Sequence, residues 1–325
     1  MGLTYEPLDS AVAERLDSLF GAKDCLIEVN PGRVIMPPRY QDIGDRIRGL
    51  RLSEDDVWVV SYPRTGSTWT QEMVWCIGND LDFDRAKRLI QQFRTPRIEL
   101  TALLDADEDF AKELGDTVEM VENMASPRYI KSHLPWDLLP EQMAIVKPRV
   151  VYVARDPKDM CVSYYHHCRL IYNMKGSFEE FAELFLQDKA PVGPMWSHIL
   201  GFWEKRHEPN ILFLKYEDLK KDLPATIRRT ALFLNKQLSE DDVLKLADYL
   251  SFHNMKNNPA VNLEQVMAKR RGRDSVADAD RSDDLAFIRK GEVGDWKNYM
   301  SDALVAKFDA WTETNLAGTG LTFQA

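Results

Sequence analysis

The chain has few cysteines, no long apolar run and no excess of positive charge, and each lack closes off a class of protein. Four cysteines occur in 325 residues, at 25, 76, 161 and 168. None forms a CxxC pair or clusters with histidine, so a reduced, intracellular protein is expected and no metal site. Cys161 and Cys168 are seven residues apart on one expected helix, which suits packing better than bridging. No stretch approaches the about 20 apolar residues needed to span a bilayer. The first twenty residues, MGLTYEPLDSAVAERLDSLF, have no basic start followed by an apolar core, so they do not read as a signal peptide. Glu6 stands where myristoylation expects Ser or Thr. The net charge of −10 disfavours attraction to nucleic acid or an anionic membrane. The expectation is a soluble, cytoplasmic protein with neither of those partners. Any anionic ligand must then be held by local cations against the overall field.

What is present is enough apolar residue, 44%, for a sizeable core, with 29% charged residues around it. No internal repeat or low-complexity linker interrupts the chain, which is read as one domain over 1–325. Residues 1–34 are an N-terminal extension, and 95–127 and 256–286 are irregular loops over the site. Short β-rich runs lie at 57–61, 128–131, 149–154 and 211–215. Helical patterns are expected at 66–78, 84–91, 137–143, 157–172, 177–187, 194–207, 222–235 and 239–249. Strands alternating with helices predict an α/β fold, a central parallel sheet flanked by helices on both faces. Ligands of such sheets bind at the carboxyl ends of the strands. The residues that follow each strand therefore matter most.

After the first run comes Arg64-Thr65-Gly66-Ser67-Thr68-Trp69, where a helix is about to begin. Unpaired amides, small hydroxyls, a permissive glycine and one cation make a P-loop-like phosphate cradle. The Walker spacing and its lysine are absent. Alone, the loop fits a capped strand-to-helix turn equally well. After the second run, Lys131 and His133 are two apart on extended chain and point the same way. Histidine can take a proton near neutral pH, and lysine can hold developing negative charge. The plainer reading is a surface lysine and a satisfied histidine. After the third, Arg155 leaves the strand and Ser163 lies two turns into the next helix, both within reach of a phosphate. An Arg155–Asp156 brace of the turn is the plainer reading. After the fourth comes Tyr216, placed to meet a base or a sugar, unless Asp218 simply caps a helix there. Downstream, Phe287, Arg289, Lys290 and Gly291 offer a second anion site or a solvated basic pair. The run KRRGRDSVADADRSDD in the second irregular loop reads as a solvated loop, or else a lid.

The order of motifs resembles the cytosolic sulfotransferases, which move a sulfonate from 3′-phosphoadenosine 5′-phosphosulfate (PAPS) to a hydroxyl or amine. The resemblance runs from about residue 35 to about 300. It is carried by YPRTGSTW, KSHLP, ARDPKDMCVSYYH, YEDL, SFHNMKNNP and FIRKGEVGDWKN, in the family's order. It implies that Arg64 to Trp69 hold the 5′-phosphosulfate end, with Trp69 near the adenine. It implies that Arg155 and Ser163 grip the 3′-phosphate with Arg289, Lys290 and Gly291. Tyr216, Ser251, Phe252 and Met255 would surround the adenine, His133 would be the general base, and Lys131 would support the transferring group. The product would be the bisphosphate PAP, and no metal is called for.

The chain departs from the family pattern in places. Arg64 stands where lysine is usual, and a guanidinium gives up its proton less readily. Leu250 replaces a frequent threonine. The stretch NYMSDALVA lacks the usual dimer-forming residues, so a monomer or a non-standard dimer is expected. The segment before KSHLP is longer than usual and brings Leu103 and Leu104 as candidate wall residues. The expected acceptor is a small hydrophobic alcohol or phenol, such as a steroid or retinoid of xenobiotic or hormone metabolism. Phe93, Phe110, Trp136, Tyr165 and Trp196 are the candidate aromatic wall of its pocket. An allylic alcohol dehydrated through its sulfonate, as in the retinol dehydratases, is the alternative. A kinase with an unusual phosphate loop and a non-catalytic PAP-binding protein are weaker alternatives.

Overall fold

The segment expected as an N-terminal extension carries an antiparallel sheet of its own. In the computed structural model, which describes residues 2–105, 109–264, 266–267 and 286–323, β1 (Thr4–Pro7) pairs with β2 (Ile27–Asn30), and β2 with β3 (Val34–Met36). The helix Ser10–Phe20 lies between the first two strands, capped by Asp9 at its start and left-handed Gly21 at its end. Leu16, Leu19, Val29, Val34 and Met36 from this segment join the main core. The strands are only three or four residues long and β1 alternates weakly, so periodicity did not reveal them.

The main sheet answers the expected α/β pattern. Strands β4 (Val57–Val60), β5 (Tyr129–Ser132), β6 (Arg149–Ala154) and β7 (Ile211–Lys215) run parallel in the order β5-β4-β6-β7. Side chains alternate between two cores. Trp58, Val60, Ile130, Val150, Tyr152, Ile211 and Phe213 face one, and Val57, Val59, Tyr129, Val151, Val153, Leu212 and Leu214 face the other. A strand buried on both faces reads as an unbroken apolar run, which is why β4, β6 and β7 were legible. The strand order reverses at β4, with β5 on one side and β6 on the other. The carboxyl end of β4 therefore opens into the crevice where such sheets bind ligands.

The helices follow their caps. Pro157–Tyr172 starts on Asp156, which accepts from two amides of the first turn, with Pro157 at a position that needs no N–H donor. Phe178–Leu186 and Glu240–Tyr249 begin with capping boxes from Ser177/Glu180 and Ser239/Asp242. Where an expected helix covered 137–143, the chain instead makes a 3-10 turn at Trp136–Leu138 and a separate helix at Met143–Val146. Pro140 falls between them and has no N–H to continue the first.

The segment 95–127 is not irregular. It contains a 3-10 turn at Leu100–Leu103, helices at Asp109–Leu114 and Thr117–Asn123, and a parallel bridge from Arg97 to Lys131. The start of the second expected loop is also helical, in Phe252–Asn257 and Pro259–Asn262, while the charged run at 269–284 lies outside the described residues. A helix at Asp302–Leu316 was not expected; only Leu304 and Phe308 of it are buried, too few to print an apolar stripe. Among the described residues no helix is long and apolar enough to cross a membrane.

One buried ion pair ties the amino ends of the two site-bearing strands together. Arg128, just before β5, reaches Asp56, just before β4, at 2.8 Å from Nε and 2.5 Å from Nη2. Removing one member leaves the other charged and buried. Arg128→Ala is therefore expected to lower unfolding stability by about 3–5 kcal/mol, read from urea denaturation; a loss under about 1 kcal/mol would show that water already reaches the pair.

Candidate active site

The loop after β4 is held open by a missing side chain. Gly66 is left-handed, at φ 97°, and caps the helix Ser67–Gly78. A Cβ at Gly66 would lie 2.7 Å from the ring of Tyr216, so the backbone passes where no other residue would let it. Thr70 N–H already bonds Gly66 O at 3.0 Å. That leaves the amides of Ser67, Thr68 and Trp69 without intrahelical acceptors at the positive end of the helix dipole. These residues line a large cavity at the carboxyl edge of the sheet.

Three arginines converge there. Arg64 donates from Nε to Ser163 Oγ at 3.2 Å and from Nη2 to Phe287 O at 3.0 Å. Arg155 stacks 4.3 Å from the centroid of Tyr216 and donates to Glu292 O at 2.7 Å, while its buried Nε has no hydrogen-bond partner among the described residues. Arg289 is held by Asp295 at 2.6 Å, and Lys290 by the same carboxylate at 2.9 Å. Burial, then the charges of Arg155 and Arg289, bring the Arg64 guanidinium down to about 10. Burial pushes the Asp295 carboxyl up, but hydrogen bonds from Asn298, Lys290 and Arg289 outweigh it and hold it at about 2. Asp159, on the helix after β6, accepts from Gly294 N at 2.7 Å and Trp296 N at 3.0 Å, which fastens the downstream basic segment over the site. In that segment a Cβ on left-handed Gly291 would meet the Phe252 ring at 2.6 Å.

His133 and Lys131 stand on the other side of the same cavity. His133 Nδ1 lies 2.7 Å from Ser61 O. A carbonyl can only accept, so Nδ1 carries the proton and Nε2 keeps its lone pair. The histidine main chain is fixed at both ends: its N–H donates to Glu99 Oε1 at 2.9 Å, and its carbonyl accepts from His198 Nε2 at 3.0 Å. Glu99 is fully buried, also accepts from Ser132 Oγ at 3.0 Å, and pairs with Arg97. Burial first, then the charges of Arg97 and Lys131, push the His133 imidazole well below its ordinary range. Burial, then Arg97, with Glu99 opposing, bring Lys131 down to about 7.

Most residues singled out from the sequence meet here. Arg64, Gly66, Ser67, Thr68, Trp69, Lys131, His133, Arg155, Ser163, Tyr216, Phe252, Met255, Phe287, Arg289, Lys290 and Gly291 all line the cavity, with Phe110, Leu103, Leu104 and Leu250. Two residues expected at the cofactor, Thr65 and Ser251, are not on the cavity wall. The Thr65 hydroxyl turns inward to Tyr62 O at 3.0 Å, and Ser251 spends its hydroxyl capping the helix Phe252–Asn257. Four of the five expected aromatic wall residues are likewise not on the cavity wall. Trp196 is buried against Trp311 and Phe323. Trp136 packs edge-on to Phe202 under Lys205. Tyr165 meets Phe178 and Phe181, and Phe93, half-buried, is not on the cavity wall. The apolar wall comes instead from Leu100, Leu103, Leu104, Phe110, Tyr164, Ile171 and Tyr172. Sequence reasoning also missed Arg97, Glu99 and His167, and Lys220 beside Trp69.

The model of the family described as "Sulfotransferase domain" matches residues 54–320, a span that holds every residue of the cavity wall. Luciferin sulfotransferase of Photinus pyralis is 41% identical over 293 residues, covering 86% of this chain and 76% of that protein. Sulfotransferase 1E1 of Homo sapiens is 32% identical over 293 residues, covering 90% and 94%. A crystal structure of retinol dehydratase in a complex with retinol and PAP superposes with a TM-score of 0.88 at 31% identity, over 100% of this chain and 99% of that one. The sheet edge, its cations and these matches lead to one conclusion: the chain belongs to the sulfotransferase family and is a sulfotransferase enzyme.

Proposed function

We propose that the chain transfers a sulfonate from PAPS to the hydroxyl of a small hydrophobic acceptor, with His133 as general base. The observation that carries this reading is a lone-pair nitrogen beside a buried lysine, facing across one cavity a helix N-terminus ringed by Arg64, Arg155 and Arg289. PAPS, when bound, supplies the sulfonate and a phosphate leaving group. The cavity residues fit such a group: three unpaired amides, a cluster of cations against the overall charge of −10, and an aromatic slot between Trp69, Tyr216 and Phe252. Solved structures of the retinol dehydratase and of mouse sulfotransferase SULT7A1 contain PAP. In this chain Arg155, Ser163, Arg289, Lys290 and Gly291 would hold the 3′-phosphate, and Arg64 to Trp69, save the inward Thr65 hydroxyl, the other end.

The remaining steps belong to the protein. His133 Nε2 accepts the proton of the acceptor hydroxyl as the oxygen becomes a nucleophile, while Ser61 O holds the ring through Nδ1 and Glu99 and His198 fix the main chain that carries it. Lys131 and Arg64 hold the negative charge that builds as the bond to the leaving oxygen lengthens, where it is worth more than in the ground state. The apolar wall excludes water and holds the acceptor body. A second reading, in which the sulfate ester of an allylic alcohol loses sulfate and a proton so that the alcohol is dehydrated overall, is favoured by the full-length match to the retinol dehydratase structure. The two readings differ only in the fate of the product.

An acceptor panel of phenols, steroids, retinoids and fatty alcohols with radiolabelled PAPS, read by mass spectrometry, separates sulfate esters from dehydrated products. His133→Ala is expected to lower kcat about 10²–10⁴-fold; full activity in that variant would remove the base from its role. The pH profile of kcat/KM carries a second expectation, because it reports the free enzyme's groups. His133 stays unprotonated until pH falls well below the imidazole range, so no acid limb should appear near 6.5. Lys131 loses its charge as pH rises through about 7, so the rate should decline above that point. Lys131→Arg, whose charge does not titrate, should remove the decline; a decline unmoved in that variant would exclude Lys131 as its source. Arg64→Lys is expected to raise kcat while keeping donor affinity within about tenfold. A variant inert toward PAPS would break the assignment of this position.

A further inference from the structure

The acceptor side of the cavity contains a cation that the proposed chemistry does not use. Arg97 bridges Lys131 in parallel register, with Ile98 N bonded to Lys131 O at 3.0 Å and Lys131 N to Pro96 O at 2.9 Å. Directly paired residues project from the same face of a sheet, so the Arg97 side chain leaves beside that of Lys131, on the flank of β5 away from β4. The sheet order then places Arg97 across His133 from Arg64, Arg155 and Arg289. The same cavity wall carries the apolar side chains of Leu100, Leu103, Leu104 and Phe110.

The guanidinium is mostly buried, with 11% of the side chain exposed. Its Nε is engaged by Glu99. Neither Nη donates a hydrogen bond among the described residues. Glu99 takes the His133 amide, the Ser132 hydroxyl and Arg97 Nε, and makes no hydrogen bond to either Nη among the described residues. One carboxylate thus faces two buried cations, Arg97 and Lys131. A buried cation in an apolar wall is costly unless an anion meets it, and the outer fork of a guanidinium matches the two oxygens of a carboxylate. The charge of Arg97 is felt at other wall groups too: after burial, it and other cations depress His133 and His167.

We propose that Arg97 is a specificity-determining residue that selects acceptors carrying a carboxylate on an apolar ring or chain, gripped by its two Nη groups while the hydroxyl faces His133. This rests on the sulfotransferase reading and narrows its substrate class from a neutral hydrophobic alcohol to a hydroxylated hydrophobic acid.

The test compares 6-hydroxy-2-naphthoate with its methyl ester. Equilibrium binding is read by ligand fluorescence with PAP present, and kcat/KM is measured with PAPS. The wild-type protein is expected to favour the acid over the ester roughly 10- to 100-fold in both readouts, the range for hydrogen bonds to charged groups. In Arg97→Met the acid-to-ester ratio should collapse to about one, and Arg97→Lys should restore part of it. The ratio is taken within each variant, so a loss of folded protein scales both arms and leaves it unmoved. Equal binding of acid and ester by the wild-type protein, or an unchanged ratio in Arg97→Met, would overturn the proposal. Turnover of the ester reports the parent reading separately. Ester sulfonated without any preference for the acid sinks the role of Arg97 alone. An acid-over-ester binding preference, lost in Arg97→Met but with neither compound sulfonated, upholds the anion grip and sinks the sulfotransferase reading for this acceptor class.

Discussion

The site depends on like charges packed at one sheet edge. Arg64, Arg155 and Arg289 crowd one side of the cavity, and Lys131 and Arg97 the other, in a chain that is acidic overall. The protein tolerates this by spending buried carboxylates on the cations' outer sides: Asp295 behind Arg289 and Lys290, Glu99 behind Arg97, and Asp159 under the downstream segment. Burial first, and neighbouring cations after it, lower the values of Arg64 and Lys131. An anion entering such a space relieves repulsion as well as forming bonds. A ligand that binds only the folded protein then adds to its stability.

Electrostatic crowding also dictates the backbone. The His133 imidazole, buried among cations, is pushed toward its neutral form, the form in which an imidazole can act as a base. Its direction must be fixed by groups that do not add positive charge. The carbonyl of Ser61, the carboxylate of Glu99 and a neutral His198, itself brought to about 4 by burial, meet that need. His198 is in turn bonded through Nδ1 to the Tyr152 hydroxyl at 2.9 Å, which extends the support into the core beneath β6.

The sheet and the donor side were legible because they rest on local signals. Three apolar runs and the short RYIK stretch at 128–131 marked the strands, and the residues at and just beyond their ends marked the cavity. The helices expected at 157–172, 177–187 and 239–249 begin on the caps Asp156, Ser177 and Ser239. The acceptor side was not legible. Residue type alone does not say whether an aromatic ring packs or lines a wall, and Trp136, Tyr165 and Trp196 pack. Arg97 and Glu99 act through a one-residue bridge to β5 and a carboxylate-to-amide contact across 34 positions, which no short-range pattern encodes. Thr65 and Ser251 carried the right chemistry but spend it on their own turns.

Two glycines, at 66 and 291, each have an aromatic face pressed against the space a methyl group would fill. The rings involved, Tyr216 and Phe252, come from separate elements and both border the cavity. The gap between them is therefore gauged by two carbon atoms that the chain omits. Adding either one would force the ring against it to shift, and with Tyr216 the Arg155 guanidinium stacked on it. In this protein the room for a flat ligand is a property of the backbone.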